Sequence, residues 1–204
     1  MSLRKLLITF GLATVLAVAA AGGVIWYLER PDGAQAGSGT ALVGGPFTLT
    51  DQQGQRVTEQ DFAGRFMVVY FGYTYCPDIC PLGLLHISEA LERLPAAQAE
   101  QVAPVFITLD PERDTVEQMA AYAAAFHPRL AALTGSPEEI KQVARAYRVY
   151  FAKAKDAGAG DDYLVDHSTF IYLMGPDGQY RTHFSHNVAP EELAERLAAE
   201  VGSS

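Results

Sequence analysis

Cysteine is scarce in this sequence, with two residues in 204, and acidic side chains outnumber basic ones by 24 to 15. Two cysteines cannot staple a small disulfide-rich fold, so the pair indicates one local redox or metal site. The formal net charge of −9 argues against nucleic-acid binding. It fits either a cationic partner or solubility alone. The chain shows no internal repeat, and its length suits one domain plus an extra segment.

The first part of the chain, residues 1–30, is predicted to be a membrane anchor. Residues 6–28 carry no charge and would span roughly 35 Å as a helix, enough for a hydrocarbon core of about 30 Å. Arg4 and Lys5 precede this run, which predicts a cytoplasmic N-terminus and a domain outside. A cleaved signal peptide ending at the small residues 19–21 is the alternative. The lack of an Arg-rich, Ser-rich leader favours a bacterial inner membrane and periplasm over a mitochondrion.

Residues 31–45 have the composition of a flexible linker, and residues 46–204 are predicted to form the folded domain. Alternating strands and helices there predict a thioredoxin-like α/β fold with an N-terminal β-hairpin, preceded by a single transmembrane helix. The apolar run Phe66–Phe71 predicts a central strand buried on both faces. The other predicted elements are hairpin strands Phe47–Thr50 and Gln55–Thr58, a helix after Pro81, strand Val105–Leu109, a helix capped by Asp114 and Glu117, a helix capped by Ser136 and Glu139, strands Thr169–Met174 and Tyr180–Phe184, and a helix from Pro190.

The two cysteines lie in the segment YFGYTYCPDICP at residues 70–81, directly after the predicted central strand. Ligands of α/β sheets bind at such strand ends. Pro77 and Pro81 are expected to stiffen the turn and delay the next helix. Cys80 would then lie near a helix N-terminus, where the helix dipole favours a thiolate. Cys76 and Cys80 together can chelate a soft ion or oxidise to a short disulfide.

A histidine far along the chain is the predicted third ligand. His167 directly precedes the strand Thr169–Met174, which should run antiparallel to Phe66–Phe71. The start of the later strand then lies beside the end of the earlier one, so the imidazole reaches the cysteines. Two thiolates and one imidazole suit Cu(I) and can stretch to Cu(II).

Zinc remains an alternative for this donor set, because structural zinc takes four ligands. A fourth ligand would come from Asp78, Asp166 or water. Asp166 has two readings of equal weight: it orients the imidazole through a hydrogen bond, or it caps a loop. Residues 153–162 are predicted to form an exposed loop, which either gates the site or is ordinary surface.

Three segments give the chain a resemblance to the Sco/SenC family of copper proteins. They are the cysteine segment at 70–81, TLDPERDT at 108–115 and DYLVDHSTFIYLMGPDG at 162–178. The resemblance covers residues 46–200 and the single anchor. It implies a thioredoxin-like domain that binds copper through Cys76, Cys80 and His167, and Asp78 also matches the family pattern.

The resemblance further implies a copper-binding assembly factor, rather than an enzyme in the usual sense. Such a factor delivers copper to the CuA site of cytochrome c oxidase subunit II, reduces that subunit's cysteines, or does both. It receives copper from an upstream donor that the sequence does not identify.

The main alternative function is a membrane-anchored thiol–disulfide oxidoreductase that acts on protein cysteines, with Cys76 and Cys80 as its redox dithiol. A CxxxC spacing replaces the CxxC of general thioredoxins, which weakens this reading. The cis-proline that generic thioredoxins place before the antiparallel strand is also missing. A thiol peroxidase is the third reading, and the position of Thr74 relative to Cys76 does not match its motif.

Overall fold

The computed structural model describes residues 43–154 and 163–202. The predicted anchor at 1–30, most of the linker at 31–45 and residues 155–162 of the predicted loop lie outside these ranges. Within them, no helix is both long enough and apolar enough to cross a membrane. The site and its supporting elements all fall inside the described residues.

A five-stranded mixed sheet with strand order β5-β4-β3-β8-β9 forms the centre of the domain. The strands are β1 (Thr48–Thr50), β2 (Arg56–Thr58), β3 (Phe66–Gly72), β4 (Val102–Thr108), β5 (Ala131–Leu133), β6 (Phe151–Lys153), β7 (Val165–His167), β8 (Phe170–Met174) and β9 (Tyr180–Ser185). β3, β4 and β5 run parallel, whereas β8 runs antiparallel to β3 and β9 antiparallel to β8. This arrangement is the predicted thioredoxin-like α/β sheet, and β1 and β2 form the predicted N-terminal hairpin.

Helices cover both faces of this sheet. They are α1 (Ile79–Arg93), α2 (Ala96–Ala99), α3 (Val116–Ala123), α4 (Pro137–Ala146) and α5 (Pro190–Gly202). Side chains of β3 alternate between two apolar cores, so Val68 packs with α1, α3 and α5 while Val69 packs with α4 and the hairpin. Each such fully buried side chain contributes about 1.5–3 kcal/mol through removal from water. The double burial explains the unbroken apolar run of this strand.

Helix α1 begins earlier than the prolines suggested. It starts at Ile79, so Pro81 is its third residue and does not delay it. The first four N–H groups of a helix have no partner inside the helix, and a proline there loses no hydrogen bond. Cys80 therefore lies within the first turn of α1, which keeps the predicted link between this cysteine and a helix N-terminus.

The predicted cap of the helix after β4 was wrong. Thr115 is the N-cap of α3 and accepts a hydrogen bond from the Gln118 N–H. Asp114 is instead fully buried and accepts hydrogen bonds from Thr74 and Thr108. Asp114 and Thr115 are adjacent, and either residue type can cap a helix. The sequence alone could not tell that Asp114 is buried and that Thr115 is the cap.

The sequence did not predict β5, α2 or a two-stranded antiparallel ribbon outside the main sheet. In the ribbon, β6 pairs with β7, with Phe151 opposite His167. A further backbone hydrogen bond extends the ribbon by one residue on each strand, since the Ser168 N–H, just after β7, donates to the Tyr150 carbonyl, just before β6. His167 is thus the last residue of a paired strand rather than part of a free loop.

Candidate metal centre

The register of the central sheet brings the two halves of the predicted site to one edge. Tyr70 of β3 lies opposite Ile171 of β8 in an antiparallel pair. The cysteine turn follows the end of β3, and His167 lies three residues before Phe170, the start of β8. The structure therefore confirms that the histidine and the cysteine turn meet at this edge.

Hydrogen-bonding contacts join the two cysteines to each other and join Cys80 to the imidazole of His167. Cys80 Sγ is 3.5 Å from His167 Nε2, and the Cys80 N–H donates to Cys76 Sγ at 3.4 Å. Cys80 is fully buried, whereas Cys76 is half-buried. Neither cysteine forms a disulfide. Solvent and partners thus meet Cys76 before Cys80.

The other nitrogen of the imidazole determines what Nε2 can do. His167 Nδ1 lies 2.9 Å from the Ser168 carbonyl oxygen, which can only accept a hydrogen bond. Nδ1 therefore carries the proton, and Nε2 presents a lone pair toward the sulfurs. Asp166, predicted as a candidate to orient the ring, is exposed and is not this partner. The orienting group is a backbone carbonyl.

Close packing at the end of β3 fixes the position of the Cys80 sulfur. A Cβ placed on Gly72 would lie 2.7 Å from Cys80 Sγ and 3.0 Å from a ring carbon of Phe106. No real Cβ makes the first of these contacts. The glycine therefore provides the space that the sulfur occupies.

The two thiols differ sharply in acidity. The hydrogen bond from the Cys80 thiol, with further hydrogen bonds from the backbone N–H groups of Asp78 and Cys80, lowers the pKa of Cys76 to about 3. The same hydrogen bond and burial raise the pKa of Cys80 above its usual range. The thiolate predicted for Cys80 at the helix N-terminus is therefore wrong: Cys76 is the acidic thiol of the pair, and burial with the shared hydrogen bond keeps the proton on Cys80.

Asp78 acts on the site through its backbone rather than its carboxylate. It is the N-cap of α1, but its side chain makes no capping hydrogen bond and is exposed. Its N–H is one of the donors that stabilise the Cys76 thiolate. The carboxylate faces solvent beside the cysteines and adds negative charge to the rim of the site.

An arginine that the sequence analysis did not place in the site ties its segments together. The Arg113 guanidinium lies 3.7 Å from the ring centre of Tyr163 and 4.6 Å from that of Tyr75. It also pairs with the buried carboxylate of Asp110, which accepts a hydrogen bond from the Tyr163 hydroxyl at 2.6 Å. Cation–π contacts of this kind stabilise by about 0.5–2 kcal/mol each. The segment TLDPERDT thus connects the cysteine turn with the residues that lead into β7.

Cys76 and His167 border an open cleft of about 360 Å³, and Cys80 is buried behind them. Cys76, Asp78 and Ile79 line one side of it, and Leu164 and His167 line the other. In residues 43–154 and 163–202, no three His, Cys, Asp or Glu side chains already form a group that could hold a metal ion. The thiols and imidazole are instead hydrogen-bonded to one another.

The fold and the site define a class: thioredoxin-like α/β proteins in which a CxxxC dithiol is faced by a histidine that precedes the antiparallel neighbour of the central strand. The sequence profile described as SCO1/SenC matches residues 35–202, which is most of the chain. The chain therefore belongs to the SCO1/SenC family.

Relatives in this family are similar over about four-fifths of the chain. The mitochondrial SCO1 homolog 1 of Arabidopsis thaliana is 45% identical over 164 residues, 80% of this chain and 48% of the relative. The mitochondrial SCO1 homolog of Homo sapiens is 42% identical over 165 residues, 80% of this chain and 54% of the relative. The chain thus spans about half the length of these two relatives.

Two solved structures of copper-bound proteins share the fold. Arabidopsis thaliana ScoI with copper bound is 44% identical, with a TM-score of 0.71, covering 79% of this chain and 99% of that one. Bradyrhizobium japonicum ScoI with copper bound is 43% identical, with a TM-score of 0.71, covering 78% of this chain and 99% of that one. These matches show that the fold of this chain is that of Sco proteins.

Proposed function

We propose that this protein binds copper through Cys76, Cys80 and His167 and delivers it during assembly of cytochrome c oxidase. The observation that carries the proposal is the 3.5 Å approach of His167 Nε2 to Cys80 Sγ, whose backbone N–H donates to Cys76 Sγ at 3.4 Å. Two sulfurs and an imidazole are a soft donor set, which suits Cu(I) and stretches to Cu(II). Copper-bound relatives at more than 40% identity support the same ion.

The spacing of the donors fits a shared metal ion. With the bond lengths of a zinc site as a guide, about 2.3 Å to sulfur and about 2.0–2.1 Å to nitrogen, a tetrahedral angle separates sulfur from nitrogen by about 3.6 Å. Cys80 and His167 already have this spacing. Cys76 Sγ, which accepts the Cys80 N–H at 3.4 Å, would complete the set.

The copper acceptor that we propose is the CuA site of cytochrome c oxidase subunit II. The Sco family is described, for its member BsSco, as a family of cytochrome c oxidase assembly proteins. We further propose a bacterial inner-membrane location, with the domain in the periplasm and residues 6–28 as the anchor. The uncharged run and the two basic residues before it support that topology.

An anaerobic Cu(I) titration of the full chain in detergent micelles tests the copper site. We expect one equivalent to bind. Cys76→Ser, Cys80→Ser and His167→Ala should each weaken binding by at least about 100-fold, more than the 10–100-fold typical of a residue that only orients a ligand. A competing Cu(I) chelator measures the affinity of each variant.

The matched control is His127→Gln, which alters a histidine just before β5, at the opposite edge of the sheet from the cysteines. This variant should bind copper as the unaltered chain does. Tight binding that survives His167→Ala would remove that residue from the site. Weak binding by the unaltered chain, together with efficient reduction of assorted protein disulfides, would favour the second function below.

The asymmetry of the two thiols favours thiol–disulfide exchange as a second candidate function. The Cys76 thiolate would attack one sulfur of a partner disulfide, breaking that bond and releasing the other sulfur as a thiolate. Cys80 would then lose its proton to that thiolate and attack Cys76 Sγ, which releases the partner's second sulfur. Two electrons pass to the partner, and the chain is left with a Cys76–Cys80 disulfide. Reduction of subunit II by this route would prepare its cysteines for copper.

A further inference from the structure

The exposed large apolar side chains of the described residues are concentrated around the candidate metal centre. They are between 39% and 65% exposed, and they are Tyr75, Ile79, Leu82, Leu85, Tyr150, Leu164 and Phe170. Six of them lie in the cysteine turn, in the first half of α1 or in the segment around His167. The seventh, Tyr150, accepts a backbone hydrogen bond from Ser168, the residue after His167. We call these seven side chains the apolar collar. Scattered exposed apolar residues are normal on a protein surface, but a contiguous group marks an interaction site.

Helix α1 supplies one side of the collar. Ile79, Leu82 and Leu85 are spaced three residues apart, so they follow one another along one face of the helix. The opposite face of α1 is buried, with Leu84 and Ile87 in the core. The helix therefore presents apolar side chains both to the core and to solvent, and the solvent-facing row begins between the two cysteines.

The segment around His167 supplies the other side. Leu164 lines the cleft together with Cys76 and His167. Phe170 begins β8, and the Tyr150 carbonyl accepts the Ser168 N–H, which keeps Tyr150 beside the same segment. Two members of the collar, Ile79 and Leu164, thus line the cleft itself together with Cys76 and His167.

Charge at the cleft is of one sign. The exposed carboxylates of Asp78 and Asp166 belong to its lining, and no lysine or arginine does among the described residues. The whole chain is also acidic, with a formal net charge of −9. An apolar centre with an acidic rim matches a partner surface that is apolar around its own sulfurs and basic at its edge.

We propose that the apolar collar is the docking surface for the copper-accepting protein, which presents its cysteine thiols within an apolar patch bordered by lysine or arginine. This inference rests on the proposed function, since the acceptor must approach the half-exposed Cys76 to take the ion. Contact with the collar on both sides of the cleft would exclude water while copper changes ligands. The acidic rim would speed the encounter and make its rate fall with added salt.

The test compares the full chain in detergent micelles with two variants. Leu82→Ser/Leu85→Ser removes two collar side chains that are not candidate ligands, and Glu92→Ser changes an exposed residue farther along the same helix. Each protein is loaded with one equivalent of Cu(I) and mixed with purified apo subunit II from the same organism. Hydrogen exchange of residues 75–85 and 163–170 and the rate of copper transfer are measured.

We expect all three proteins to bind copper equally. Subunit II should protect the collar of the unaltered chain and of Glu92→Ser, and transfer should slow as salt is added. The double variant should lose the protection and transfer copper at least tenfold more slowly. Equal transfer with equal protection in the double variant, or a transfer rate indifferent to salt, would overturn the inference.

Other occupants of the collar give different results. Protection before subunit II is added would show that another segment of the chain or a second copy covers the collar, which also overturns the inference. Absence of protection in a copper-loaded chain would refute the docking surface and leave the copper site standing. A chain that binds no copper but is protected by subunit II would refute copper delivery and support the surface.

Discussion

At the scale of single residues, the candidate metal centre depends on the absence of a side chain at Gly72 as much as on its donor atoms. Gly72 ends β3 and leaves the volume into which the Cys80 sulfur fits. Extra atoms in a packed core typically cost about 1–3 kcal/mol, because neighbours must leave their preferred rotamers. Here the neighbour that must move is a proposed copper ligand, so stability and binding are linked at one Cα.

Gly72→Ala is therefore expected to lower the free energy of unfolding by about 1–3 kcal/mol and to weaken Cu(I) binding. Denaturant unfolding and chelator competition measure the two effects. Gly202→Ala is the control, because a Cβ there meets only Gln98 at an ordinary 3.8 Å. A Gly72→Ala protein with unchanged copper affinity would show that the sulfur has freedom to shift.

At the scale of elements, local signals predicted the long strands and helix caps but not the ribbon. The run Phe66–Phe71 is long and apolar enough to identify β3, and Ser136 with Glu139 forms the predicted capping box of α4. The ribbon strands Phe151–Lys153 and Val165–His167 are three residues each, only partly buried, and far apart in sequence. Their pairing is a tertiary property that neither segment signals alone.

The ribbon is anchored to the body of the domain by Tyr163, so Tyr163→Phe should loosen it. The change removes the hydroxyl that donates to the buried Asp110 carboxylate. A hydrogen bond to a charged group contributes about 1.5–3 kcal/mol, and we expect a loss of that size in the free energy of unfolding. Copper binding should weaken as well, because the ribbon carries His167. Denaturant unfolding and Cu(I) competition provide the measurements.

Tyr150→Phe is the matched control for this change, since Tyr150 is 65% exposed and lies at the other strand of the ribbon. It should leave stability within about 0.5 kcal/mol, as surface substitutions usually do. Equal stability of Tyr163→Phe and Tyr150→Phe would mean that the Asp110 contact does not hold the ribbon in place.

At the scale of the whole molecule, the buried carboxyl of Asp114 connects the cysteine turn to the sheet and makes stability depend on pH. Burial raises the pKa of Asp114 above its ordinary value of 3.8, although Thr108 and Thr74 donate hydrogen bonds to it. As pH rises above 3.8, the unfolded chain loses this proton first, so the contribution of Asp114 to stability falls. Below 3.8 both states keep the proton.

Asp114→Asn should remove this dependence. The stability of the unaltered chain relative to the variant should fall as pH rises from about 4 toward the raised pKa of the folded state. Unfolding by urea at a series of pH values, with both proteins side by side, measures the difference. A relative stability that instead grew with pH would mean that the hydrogen bonds from the threonines outweigh burial.

The parts of the site that depend on strand order could be predicted from the sequence, whereas the parts that depend on side-chain packing could not. The meeting of His167 with Cys76 and Cys80 was predictable, because it needs only strand order and direction. The Ser168 carbonyl that orients the imidazole, and the arginine stacked on the tyrosines, were not predictable. Those contacts depend on side-chain positions in three dimensions. The residues next to them in the sequence are equally typical of ordinary loops and helix caps.

The pairing of Tyr70 with Ile171 has a consequence for how this chain can change over generations. Only Ser168 and Thr169 separate the imidazole from β8, and each added residue of extended chain would move it by about 3.3 Å and reverse the side to which it points. Substitutions at neighbouring positions can therefore be tolerated. An insertion or deletion in this two-residue link would instead move His167 Nε2 out of reach of Cys80 Sγ.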